Sequence, residues 1–351
     1  MKGVGMFTLR MRKQSGFTLF VFSSLFALLF QYRILSLLKR LGADVTPVGT
    51  RFPIVLDFQH APQWVLPFYH TLDYLNAVWF TTLLGLFIAG AVVAFLPKLL
   101  RDRLKGDGVV PQLTGVMLGL PNMLCSCCAT STFVGLRKTG TGLGPALACF
   151  VAAPALNLVV IILAFELLPS SLAVARLALG LVASFGAAYI VTKLVPIKEE
   201  PATHPSGVQD GEPIGEMFKR WLDDTWDIAK AVIPLLLFGL FLIGAFKTVF
   251  PFETIARHLG NGLLPIALAS VVGTVLMVPT FTEVLWVGEF MRQGMGMGPA
   301  AALLITLPAV SLPSLWVVGK VLGSYKAAMF LAAFIMGLGI IGGISLSWIG
   351  V

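Results

Sequence analysis

The sequence predicts an all-α polytopic membrane protein, an inverted-topology repeat of transmembrane helices with two re-entrant helical hairpins. Three observations carry this. Hydrophobic residues make up 57% of the 351-residue chain and charged residues 12%, with a mean hydropathy of +0.89; a soluble domain carries about a quarter charged residues. The run Gly140-Thr-Gly-Leu-Gly-Pro145, with Pro154 nine residues on, recurs as Gly294-Met-Gly-Met-Gly-Pro299, with Pro308 at the same distance. Each copy opens an apolar run long enough to cross a bilayer, and each follows a shorter, broken apolar stretch, 109–136 in one half and 263–293 in the other. Interrupted hydrophobic segments at corresponding places in two halves are the pattern of a secondary-transporter site.

Taken in order, Arg10, Arg12 and Lys13 precede an apolar run at 17–38. A signal peptide has the same charge order, but this run is too long and no small-residue cleavage site follows, so it is read as an uncleaved first helix. Residues 39–75 are mixed, with Pro47, Pro53, Pro62 and Pro67, and read as an external loop with an interfacial helix. Further runs near 76–97, 143–168, 170–195, 226–250, 297–320 and 325–350 bring the expected spans to about seven. The polar stretch 196–224 is the seam. The chain therefore divides into an N-terminal helix and loop (1–75), a first repeat (76–195), a cytoplasmic linker (196–224) and a second repeat (225–351).

Orientation follows the Lys and Arg near helix ends. The basic N-terminus is placed in the cytoplasm, as are Lys98, Arg101, Arg103 and Lys105, and the central loop with Lys193, Lys198, Lys219 and Arg220. If 109–136 dips in and returns, Arg137 and Lys138 stay inside; the second half then runs in the opposite sense, with 263–293 dipping from outside. Lys39, Arg40, Arg51, Lys247, Arg257 and Arg292 go against the scheme. The net charge of +8 is spread over loops rather than gathered in one stripe, which argues against a nucleic-acid partner.

The candidate chemistry sits at the two interruptions. Pro121-Asn122 breaks the first, and Met123-Leu-Cys-Ser-Cys-Cys-Ala-Thr-Ser-Thr132 starts a new helix whose N-terminus, at mid-membrane, favours an anion or a thiolate. On a helix Cys125 and Cys128 share a face and Cys127 points elsewhere. That pair suits a soft cargo such as Cu(I) or a trivalent metalloid, so Cys125 and Cys128 are the candidate metal ligands. Buried thiols are more often small apolar fillers, and Cys149 is read that way. Three cysteines beside Asn122, Ser126 and Thr130 at a helix break are read as a binding site instead. In the second interruption Thr280, Thr282 and Glu283 follow Pro279. An intramembrane carboxylate is expensive and marks function, which makes Glu283 the proton-coupling candidate. Asn157 and Ser311 each lie three residues after the mid-helix prolines Pro154 and Pro308, where they line the path or satisfy carbonyls those prolines free. The methionines flanking both interruptions read as apolar filler.

Leu124-Cys-Ser-Cys127, Gly135, Gly140 and Ala152-Ala-Pro-Ala-Leu-Asn157 resemble the bacterial predicted-permease family that includes the trivalent organoarsenical efflux permeases. The resemblance extends over about 76–350, and this chain departs from it at Cys128, where the family often has Gly or Ser. It implies a multi-pass permease of the bacterial inner (plasma) membrane, not an enzyme, carrying a small and thiophilic solute such as a trivalent metalloid or soft metal species. One alternative is a transporter of a sulfur oxyanion or similar small anion. Another is a membrane thiol–disulfide oxidoreductase using the same cysteines, which would need a second redox pair beyond the lone Cys149. No cofactor is expected; the partners are the solute, the bilayer and, in one arrangement, further copies of the chain. No GxxxxGK[ST] loop is present, so energy would come from an ion gradient or the solute's own.

Overall fold

A computed structural model describes residues 2–40, 62, 65–96, 98–195, 213–249, 260, 262–278 and 282–349. Every regular element among them is helical. The first half comprises α1 (Lys2–Arg40), α2 (Leu66–Phe95), α3 (Lys98–Arg103), α4 (Val109–Gly119), α5 (Ser126–Lys138), α6 (Leu143–Ala155), α7 (Leu158–Leu167) and α8 (Ser170–Leu194). The second comprises α9 (Ile214–Val249), α10 (Leu263–Val275), α11 (Thr282–Arg292), α12 (Met297–Ala309), α13 (Leu312–Val321) and α14 (Tyr325–Ile349).

Five stretches are long and apolar enough to cross a membrane: Gln14–Tyr32, Leu143–Leu167, Ser170–Leu194, Ile214–Leu242 and Tyr325–Trp348. A sixth is α12 with α13, bent by 41° between them. The expected seventh, near 76–97, is the shorter apolar part Trp79–Phe95 of α2. That helix starts at Leu66, so the end of the expected external loop is helical; α9 likewise starts at Ile214, inside the expected linker. Residues 41–61 and 196–212 lie outside the described residues.

The repeated motif has a structural counterpart. Helix α6 at 143–155 becomes α12 at 297–309, and α7 at 158–167 becomes α13 at 312–321, both shifted by 154 residues. Helices α8 and α14 are each 25 residues long. Contacts repeat too: α4 and α8 pack on α6 as α10 and α14 pack on α12, and between halves α5 meets α13 as α11 meets α7. Such exchanged pairs are what a two-fold relation between the halves produces. The glycine motif closes each unit alike. Gly140 and Gly294 take φ of +77° and +106°, the left-handed region that a helix C-terminus uses and glycine enters without Cβ strain. Around them Thr141 N–H donates to Leu136 O, and Met295 N–H to Phe290 O.

The stretch 109–136 is not one continuous helix. It folds back, and the chain entering α4 meets the chain leaving α5: Gly142 N–H donates to Leu104 O at 2.9 Å, and Gly144 N–H to Asp107 Oδ1 at 2.6 Å. In the second half a Cβ on Gly298, at the start of α12, would lie 2.7 Å from Ile266 near the start of α10. Small residues let these helices approach this closely. A side chain on Gly119 would press the Cys149 carbonyl at 2.8 Å, so Cys149 lies in a tight α4–α6 seam, in keeping with its packing role.

Candidate functional site

The first break begins with a single 3-10 turn, Leu120–Asn122. Pro121 cannot donate a backbone hydrogen bond, and Met123 then takes a left-handed conformation at φ 45°, ψ 33°. This is unusual for a residue with a Cβ and is the kind of strain that clusters at functional sites. Cys125 is extended at φ −77°, ψ 167° and serves as the N-cap of α5. An N-cap side chain folds back over the second and third helical residues, which here are Cys127 and Cys128. All three thiols therefore converge: Cys125 Sγ lies 2.8 Å from Cys127 Sγ and 3.1 Å from Cys128 Sγ, with 3.8 Å between the latter two. This corrects the expectation that Cys127 points away, which assumed that the helix already included Cys125. The three are buried and unbridged. Cys128 also lies 3.9 Å from Thr82 Oγ1, and a Cβ on Gly85 of α2 would sit 3.0 Å from Cys128 Cβ.

Ser126, the first residue of α5, donates to Ser311 Oγ at 3.2 Å and so links the first break to the second half. Ser311 is the N-cap of α13 and forms a reciprocal capping box with Ser314. Asn157, its counterpart, caps α7 by accepting from Val160 N–H at 3.4 Å. Both thus satisfy backbone groups just beyond the mid-helix prolines. Thr130, also buried, donates to Ser126 O within its own helix at 2.8 Å. Asn122 is buried beside the thiol-bearing break, and its Nδ2 finds no acceptor among the described residues. Thr282 opens α11 half-buried, while Thr280 and Pro279 lie outside the described residues.

Glu283 is 3% exposed and pairs with a residue that the sequence reading missed, Arg176 of α8, itself 1% exposed. Arg176 Nη2 lies 3.3 Å from Glu283 Oε1 and also donates to Pro154 O at 3.5 Å, while Nη1 donates to Leu304 O at 3.2 Å. Leu304 O is the carbonyl left without its helical partner because Pro308 has no N–H. One guanidinium thus joins α6, α12 and α11. The signal was available in a single arginine inside a 25-residue apolar helix, where a charge needs a partner.

The two breaks share a cavity of about 10 Å³, room for one water. Cys125 and Ser126 form one side, Val278 and Glu283 another, and Pro154 and Pro308 close it. Pro121 itself is exposed, so the convergence lies at Leu124–Ser126 rather than at the proline. A larger groove of about 260 Å³ beside Leu312, Trp316 and Met329 is apolar and holds none of the expected site residues.

The model of a family described as predicted permease matches residues 64–345. The UPF0718 protein YraQ of Escherichia coli (strain K12) is 32% identical over 294 residues, 82% of each chain. The UPF0718 protein MJ0584 of Methanocaldococcus jannaschii is 26% identical over 332 residues, 76% of this chain and 91% of that one. No solved structure matches. With several apolar helices of membrane-crossing length and a family match over most of its length, the chain belongs to the predicted permease family.

Proposed function

We propose that this permease is a secondary transporter of the bacterial plasma membrane, moving a small thiophilic solute such as a trivalent metalloid or soft metal species. The observation that carries the reading is the meeting of three buried thiols and a buried carboxylate where two broken helical stretches touch. Soft sulfur ligands select soft cargo. A site at the interface of two repeats is where alternating access operates. The contact between Gly142 and Leu104 supports a re-entrant α4–α5 hairpin, and the 154-residue correspondence supports the repeat. Glu283, beside the cysteines, is the coupling residue in this reading.

The test is flux into vesicles holding this protein alone, with arsenite and chelated Cu(I) as probes. Cys125→Ser and Cys128→Ser keep nearly the same volume and remove the soft ligand, so flux collapses while insertion is retained. Cys149→Ser transports like the parent. If both site variants carry the probes normally, the thiophilic reading fails. The oxyanion reading then takes its place, because the N-terminus of α5 has no side-chain cap hydrogen bond and a helix N-terminus favours an anion.

A further inference from the structure

We infer that Cys125, Cys127 and Cys128 act together as one three-coordinate site, which selects a soft centre offering three open positions over one offering two. This rests on the thiophilic reading above and narrows it to a cargo class. The geometry is set by the backbone. Only an extended N-cap directs its side chain over the next turn, and the first turn supplies thiols at its second and third positions. The three sulfur atoms are within 4.8 Å of one another, and all are buried. A pair of thiols would have sufficed for a centre that keeps one organic substituent. The third makes a closed sulfur triangle, with the cavity against Cys125 as the approach from the other half.

For a trivalent metalloid hydroxide the exchange balances without an oxidant. Three metalloid–oxygen bonds break and three metalloid–sulfur bonds form, and each thiol proton leaves with a hydroxide as water. Cu(I) would bind the same triangle by leaving a chelator, the thiol protons passing to solvent. Both sources share the chemistry of a three-coordinate soft centre. Release requires that the triangle open, and Cys125 is the member able to do this, because it stands outside the helix that fixes the other two.

The experiment uses the full chain, purified in reductant-free detergent, in a Cys149→Ser background so that the counted thiols are the three of interest. Arsenite, phenylarsine oxide (two exchangeable positions) and Cu(I) held by a chelator of known affinity are titrated separately. The readouts are the thiols protected from a thiol-reactive dye per bound centre and the sulfur coordination number by X-ray absorption. We expect three protected thiols for arsenite or for Cu(I), whichever is the natural class, and two for phenylarsine oxide. Cys127→Ser should weaken the three-position probe by more than the roughly 10–100-fold that even an outer-shell partner costs. The same variant keeps the Cys125–Cys128 pair at 3.1 Å and so should hold phenylarsine oxide almost unchanged. That second measurement also reports that the variant is folded. Two protected thiols per arsenite and per Cu(I), or a Cys127→Ser protein that binds them as the parent does, overturns the three-coordinate site and leaves the thiophilic reading standing. Failure of the parent to bind any of the three probes overturns both.

Discussion

Arg176 and Glu283 set the energetics of the centre. Two charges at 1% and 3% exposure are tolerable only together, and the two carbonyls that the guanidinium also meets help to repay its desolvation. Removing one partner should therefore cost about 3–5 kcal/mol, whereas replacing both by apolar residues of similar volume should be close to neutral. Thermal unfolding in detergent checks this: Glu283→Gln and Arg176→Met each melt well below the parent, and the Arg176→Met/Glu283→Met protein recovers. Transport should not recover with it. If Glu283 carries the coupling proton, that double variant is stable but loses flux driven by a pH gradient; a stable double variant with unchanged, pH-dependent flux would remove Glu283 from the cycle. The thiols and the carboxylate were legible in the sequence because cysteines and acids are conspicuous in apolar runs. The convergence of Cys127 was not, since it depends on one residue, Cys125, being extended rather than helical. Nor was the Arg176 pairing, which joins positions 107 residues apart.

Among the elements, the glycine motifs were read as the mark of a repeat, and the structure gives them a mechanical role. Gly140 and Gly294 end α5 and α11 in left-handed turns, after which the chain re-enters as α6 and α12. Alanine in that conformation should cost about 1–2 kcal/mol at each site. At Gly294 the cost is conformational alone, since nothing lies within 4 Å of an added Cβ. Gly16→Ala is the control: it also has nothing within 4 Å, lies inside a helix at ordinary φ, and should leave the melting temperature unchanged or slightly raised. Equal melting of Gly294→Ala and Gly16→Ala would show that the turn does not need glycine. Helix limits were harder to read than helix existence. The prolines and the interrupted apolar runs place the breaks, but α2 and α9 extend through mixed sequence that hydropathy alone does not read as span, because packing against each other stabilises turns too polar to be called apolar.

For the whole molecule, a two-fold relation between the halves would leave one question that contacts do not answer: whether the axis lies in the membrane plane or along its normal. The charge distribution argues for the plane. Arg101, Arg103 and Lys105 gather before α4, at the end of the first unit where Gly142 meets Leu104. The matching end of the second unit, around Gln293, has Arg292 offset by an ion pair to Glu289 at 2.7 Å. The positive-inside tendency would put the first end in the cytoplasm, and an inverted repeat would then put the second outside. Lys105 and Gln293 are both exposed, and the four native thiols are buried, so single cysteines introduced at Lys105→Cys and Gln293→Cys report cleanly. With a membrane-impermeant maleimide on intact bacterial cells, Gln293→Cys should label directly and Lys105→Cys only after permeabilisation. Labelling of both from the same side would make the repeat parallel. The two breaks would then enter from one face, and the shared cavity could not be reached alternately from the two sides of the membrane by exchanging the roles of the halves.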